Sequence, residues 1–166
     1  SETSRGVVAA ASYEAREYGI RSAMPMATAI RLCPRVIRIT PRFPRYREVS
    51  NQVMRIFSEL TEIVEPLSLD EAYMDISKES LDAFNLEDIG SSLKSSVKER
   101  TGLAITVGGG TSKTVAKIAS QMAKPDGLLL IRPGYEQSFL NPLDVGLLWG
   151  VGPKTESILK QYGIDK

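Results

Sequence analysis

The stretch Val64-Glu65-Pro66-Leu67-Ser68-Leu69-Asp70-Glu71-Ala72-Tyr73-Met74-Asp75-Ile76 sets two adjacent carboxylates between two short apolar segments. Val64 to Leu69 and Ala72 to Ile76 read as strands. In a regular strand neighbouring side chains point to opposite faces, so Asp70 and Glu71 serve one site only where the backbone turns. The spacing therefore predicts an antiparallel hairpin with both acids at or beside its tip, where they can converge on hard cations such as Mg²⁺. A solvated acidic turn has the same local appearance. Working outward, residues Tyr46, Val49, Val53, Ile56, Phe57 and Leu60 recur at helical spacing before the hairpin. After it, Asn85 with Asp88 predicts a capped helix to about Arg100, with Leu86, Ile89, Leu93 and Val97 inward and Thr101-Gly102 as its end. Leu103 to Val107 reads as a strand, Ser112 to Ala123 as an amphipathic helix, and Leu128 to Ile131 as a strand after the turn Lys124-Pro125-Asp126-Gly127. From Phe43 onward the order is helix, strand, strand, helix, strand, helix, strand. That order predicts an α+β fold, a mixed sheet with helices packed mainly on one face.

Composition narrows the chemistry. The chain has 166 residues, 42% of them hydrophobic, enough for a core. A single cysteine, Cys33, excludes an internal disulfide, and the absence of histidine excludes the usual zinc constellations. Any metal site has to use oxygen ligands. No apolar run reaches membrane-spanning length and Ser1 to Arg5 resembles no targeting peptide, so a soluble cytoplasmic protein is expected. The net charge of +1 conceals a division: residues 1–55 carry ten arginines against four acids, 56–106 four basic residues against eleven acids, and 107–166 seven against five. An acidic middle between basic flanks suits a polyanion that is held and acted on through metal ions.

Towards the N-terminus, Arg5 to Ala11 reads as a strand and Ser12 caps a helix over Tyr13 to Tyr18 that Gly19 stops. Tyr13 and Arg16 lie three apart on one face, in a first turn whose dipole favours an anion. Met24-Pro25-Met26 opens a second helix with Pro25 at its first position, Pro34 closes it, and Val36 to Thr40 reads as a strand. Gly108-Gly109-Gly110-Thr111-Ser112-Lys113-Thr114 is not a phosphate loop, because Ser112, not glycine, precedes Lys113 and position 107 is Val. Its glycines fit a tight strand-to-helix turn and a close backbone approach. Lys124 sits exposed at a helix end. Near the C-terminus, Gly150-Val151-Gly152-Pro153-Lys154 precedes a short helix from Glu156 to Gln161 or Tyr162. The pattern fits a helix-hairpin-helix unit whose turn grips a nucleic-acid phosphate, and equally a plain αα-corner with glycine in its turn.

Taken together these segments resemble the Y-family (ImpB/MucB/SamB-type) translesion DNA polymerases, most closely the bacterial DNA polymerase IV type. The resemblance covers nearly the whole chain: Val7 to Arg16, Gly19 to Pro25, Leu32-Cys33-Pro34, Ile63 to Asp75, Lys113 to Ala116, Ala123 to Gly127 and Gly150 to Gly152. It implies fingers over residues 1–41, a palm over 42–131 and the start of a thumb, with the helix-hairpin-helix, over 132–166. It further implies that Asp70 and Glu71 are two of three palm carboxylates binding two Mg²⁺ ions, one activating the primer 3′-hydroxyl and the other holding the triphosphate. Tyr13, Arg16 and Lys124 match the family's dNTP contacts, and Gly150, Gly152 and Lys154 would hold the duplex backbone. Ala9, Ala10 and Ala11 fit an open pocket over the nascent base pair. The implied partners are primer-template DNA, dNTP and, through a part outside this chain, a sliding clamp.

The family's remaining metal-binding Asp and its ribonucleotide-excluding aromatic residue are expected before Ser1, and the rest of the thumb and the little finger after Lys166. The chain on its own is expected to be an internal piece with negligible polymerase activity. Two other classes compete: a DNA-binding module without catalysis, whose affinity would ignore Asp70→Ala and Glu71→Ala, and a palm-like transferase or cyclase acting on free nucleotides.

Overall fold

The computed structural model describes residues 6–77 and 86–166. Two compact units divide the chain, Ser1–Pro44 and Arg45–Lys166.

In the first unit, Ser12 in extended conformation caps α1 (Tyr13–Glu17) by accepting from the Ala15 N–H, and Gly19 takes the left-handed φ of +80° that ends the turn. Helix α2 (Met26–Leu32) follows, with Pro25 as its cap residue, one place earlier than the expected first helical position, and Cys33 closing it. The expected strand at 5–11 is reduced to an antiparallel bridge between Val7 and Pro25. Val8 exchanges two hydrogen bonds with the returning chain, its N–H donating to Met24 O at 2.9 Å and its carbonyl accepting from Ala23 N at 2.8 Å. Beyond Val8 the chain turns into the helix cap, so no ladder propagates. Val8, Ile20 and Ala29 form the buried centre, with Ala11, Ala15, Met24, Met26, Cys33 and Val36 around it. The expected strand at 36–40 does not form: Ile37 and Ile39 are 86% and 79% exposed, and no described strand offers its edge to them.

The second unit is built on α3 (Phe43–Leu60), whose first two residues belong to the preceding unit. It leads into the antiparallel pair β1 (Val64–Pro66) and β2 (Ala72–Met74), in register Val64↔Met74, Glu65↔Tyr73 and Pro66↔Ala72. Ile56 and Phe57 of α3 and Val97 of α4 (Leu86–Thr101) form a buried core that takes up Val64, Ala72 and Met74 from one face of this hairpin. Asn85, the expected cap of α4, lies outside the described residues. Thr61, 4% exposed, staples the helix to the hairpin. Its hydroxyl donates to Asp75 O at 2.6 Å and accepts from Ile63 N at 3.2 Å.

A second ladder is parallel, β3 (Val107–Gly109) with β4 (Leu128–Leu130), joined by α5 (Lys113–Met122). The expected strand at 103–107 is displaced onto the glycines. There the missing Cβ lets α5 lie against the strand, since a Cβ on Gly108 would stand 2.1 Å from Ser120 N and 2.3 Å from Ala116 O. The close approach inferred for the glycines is thus present at Gly108 within the strand, and Gly110 lies in the short strand-to-helix turn that was also expected. Strand polarity is mixed, as two separate two-stranded sheets. The chain continues through α6 (Glu136–Leu140), a 3₁₀ turn (Val145–Leu147) and α7 (Pro153–Gln161), the last starting three residues before its expected first residue, Glu156.

Candidate active site and nucleic-acid interface

Asp70 and Glu71 occupy the turn between β1 and β2. The strands are shorter than the sequence suggests because the N–H groups of Leu67 and Ser68 both donate to Glu71 O, at 2.8 and 3.2 Å, and close the turn early. Each carboxylate is steadied through one oxygen. The Ser68 hydroxyl donates to Asp70 Oδ1 at 2.7 Å, and Lys117 Nζ of α5 donates to Glu71 Oε1 at 2.6 Å. No described residue donates a hydrogen bond to Asp70 Oδ2 or Glu71 Oε2. Asp70 is exposed and Glu71 half-buried, so the turn offers two oxygen donors to solvent at the rim of the core.

Lys117 is the residue that sequence reasoning missed. It stands four places after Lys113, one helical turn along the same face of α5. Lys113 pairs with the Glu65 carboxylate and its ammonium lies 5.5 Å from the centre of the Tyr73 ring. Glu65, Glu71 and Tyr73 alternate onto one face of the hairpin, so two lysines of α5 meet the face opposite the α3–α4 core. The available signal was a Lys-x-x-x-Lys helix in a chain with an acidic hairpin.

Lys124 follows the α5 cap residue, Ala123. It is exposed and has no ion pair among the described residues. Its turn is firmly held. The carbonyl and carboxylate of Asp126 accept from Lys94 Nζ at 2.8 and 2.5 Å, and Gly127 O accepts from Val107 N at 3.1 Å. Lys94 holds the Asp126 carboxyl below its ordinary range, first by this hydrogen bond and then by its charge. Tyr13 and Arg16 belong to the first unit, both exposed. The Arg16 guanidinium lies 5.3 Å from the Tyr13 ring centre and its Nε donates to Ala11 O at 3.1 Å.

In the C-terminal segment, Gly150 adopts φ +91°, which side chains rarely tolerate, and Val151 N donates to Leu148 O at 3.0 Å to close the turn. Gly152 precedes Pro153 at the start of α7, where no side chain caps the helix. Nothing lies within 4 Å of where a Cβ would stand on Gly150 or Gly152. The turn thus presents open backbone beside the exposed Lys154. A clasp holds α7 behind it: Lys160 Nζ donates to Glu156 Oε1 at 2.7 Å and Asp144 Oδ2 at 3.1 Å, while Asp144 Oδ1 accepts from Gly146 N at 2.9 Å.

The described residues contain no group of three acids, histidines or cysteines able to enclose a metal ion. Two hard oxygen donors at a turn, Asp70 and Glu71, would fit a hard divalent cation held only in part by protein better than a fully enclosed ion. No helix among them is long and apolar enough to cross a membrane.

Comparison with known proteins agrees over both parts of the chain. The impB/mucB/samB family model matches residues 1–121, and the IMS family HHH motif matches residues 133–164, which decides between helix-hairpin-helix and plain αα-corner. The chain is 48% identical over 161 residues to the DNA polymerase IV of Exiguobacterium sibiricum, covering 97% of this chain and 45% of that protein. It is 50% identical over 162 residues to that of Streptomyces coelicolor, covering 96% and 34%. Among solved structures, DinB from Sulfolobus solfataricus superposes with a TM-score of 0.92 at 35% identity, over 97% of this chain and 48% of that one. An insertion ternary complex of Dbh DNA polymerase gives 0.92 at 34% identity, over 98% and 47%. The chain spans less than half the length of these relatives, and by family model, sequence and fold it belongs to the impB/mucB/samB family of Y-family DNA polymerases.

Proposed function

We propose that this chain forms part of the nucleotidyl-transfer core of an error-prone translesion DNA polymerase, a cytoplasmic enzyme that joins dNTP to a primer 3′-hydroxyl on a template. In this reading residues 1–41 are fingers, 42–131 palm and 132–166 the beginning of the thumb. The observation that supports it most is the Asp70–Glu71 turn, with one oxygen of each acid held by protein and the other open. Bound Mg²⁺ would supply charge neutralisation on the triphosphate and a more acidic primer hydroxyl. Ser68 and Lys117 would keep the two carboxylates aimed, which spares the site the entropy of ordering them at each turnover. Tyr13, Arg16 and Lys124 would supply a hydroxyl, a forked cation and a mobile ammonium for the triphosphate. The Gly150–Gly152 turn and Lys154 would hold duplex phosphates without reading sequence.

Primer extension tests this reading, with the 166-residue chain and the protein encoded by the reading frame that contains it assayed side by side in Mg²⁺. Extension by the encoded protein is expected, falling at least about a hundredfold with Asp70→Ala or Glu71→Ala. Lys124→Ala is expected to raise the dNTP KM about tenfold. The isolated chain is expected to show negligible extension, because no third acid among its described residues joins the pair. DNA binding without extension by the encoded protein, unaffected by either acidic substitution, would instead mark a non-catalytic DNA-binding relative.

A further inference from the structure

Lys94 is the most heavily engaged lysine among the described residues. It projects from the middle of α4 with its side chain 21% exposed, and its ammonium has three acceptors: Ile105 O at 2.6 Å, Asp126 O at 2.8 Å and Asp126 Oδ1 at 2.5 Å. An ammonium has three N–H groups, so all of its donor capacity is used. The acceptors are 11 and 32 residues away in sequence, one before β3 and the other in the turn before β4. That turn is under constraint. Asp126 sits at φ +50°, a left-handed conformation that Asp and Asn tolerate better than most side chains. A Cβ on Gly127 would stand 2.1 Å from Ala123 O, so the chain doubles back on the end of α5. Of the four residues in the turn, Lys124 alone has a charged side chain without an ion pair among the described residues.

We propose that Lys94 is a positioning residue for Lys124, acting through Asp126: it fixes the turn from which the Lys124 ammonium reaches its anionic ligand. The inference rests on the reading of Lys124 as a triphosphate contact. A lysine side chain has several rotatable bonds, and its reach to one phosphate is reproducible only when its Cα is held. The clamp supplies that fixed origin from α4, an element far from the turn in sequence.

Steady-state kinetics in the polymerase encoded by the containing reading frame test it, with Lys94→Met, Asp126→Asn and Lys124→Ala made singly and combined. Asp126→Asn preserves tolerance of the left-handed φ and alters a side chain that is 62% exposed, so it folds even if Lys94→Met does not. Each clamp variant is expected to raise the dNTP KM about three- to tenfold while kcat stays within about twofold. In the Lys124→Ala background neither is expected to raise it further. An unchanged KM in Asp126→Asn and Lys94→Met, or an equal rise with and without Lys124, would overturn the proposal. Lys124→Ala with unaltered dNTP KM would remove the triphosphate reading itself, a result separable from failure of the clamp alone.

Discussion

Gly108 and Lys117 carry the sharpest residue-level consequences. A methyl group on Gly108 would meet the backbone of α5 at 2.1 Å, and backbone cannot yield as a side-chain tip does. Gly108→Ala is therefore expected to destabilise the chain by about 1–3 kcal/mol or more, read as a lowered denaturant midpoint with an unchanged slope. Lys117 is 22% exposed and Glu71 41%, so their ion pair is too wet to matter much for stability, and its value is orientation. Lys117→Met is expected to lower kcat for primer extension about five- to tenfold in the encoded polymerase, with Lys117→Arg retaining most of it. The turn at Asp70 and Glu71 was legible in the sequence, because both acids fall between two short apolar segments. Lys117 and Lys94 were not. A lysine on a helical face looks solvated until tertiary structure brings an acceptor to it, and their acceptors lie 46 and 32 residues away.

At the level of elements, α3, α4 and α5 were readable because their apolar residues repeat at helical spacing over many turns. Short strands were not, since pairing decides them. Residues 36–40 pair with no described strand: Val36 packs into the first core, and Ile37 and Ile39 are exposed. The strand expected at 103–107 begins instead at Val107, where its N–H first reaches Gly127 O. Helix α7 offers a test by pH. The Gly146 N–H, and then Lys160, hold the Asp144 carboxyl below its ordinary range, while Glu156, and then Asp144, raise the Lys160 ammonium above its own. The Asp144 contribution is complete above the ordinary carboxylate pKa and is lost as pH falls through the lowered value. That of Lys160 is complete below the ordinary lysine pKa and is lost as pH rises through the raised one. Between these limits the clasp is intact. Stability measured by denaturant from neutral to acid pH is expected to fall less steeply in Asp144→Asn than in the wild type.

For the molecule as a whole, charge distribution gives the clearest expectation. Ten arginines lie in residues 1–55 and eleven acids in 56–106, so a polyanion such as DNA is attracted by the first segment and repelled by the second. Binding of duplex DNA by this chain is expected to weaken steeply with salt. Lys154→Ala is expected to reduce the slope of log affinity against log salt by about one, while leaving sequence preference unaltered. A loss confined to particular DNA sequences would assign Lys154 to base reading instead.

The staple at Thr61 joins α3 to the hairpin that carries the two acids. It clamps the hairpin at its open end, where β2 leaves the sheet, and only three paired rungs separate that clamp from the turn. At about 3.3 Å per residue this is a cantilever some 10 Å long. A short beam fixed at its root deflects little at its free end, so the two carboxylates inherit the stiffness of the helical core although they sit on a loop. A hairpin lengthened by two rungs on each side would keep the same acids and the same turn and would lose that stiffness.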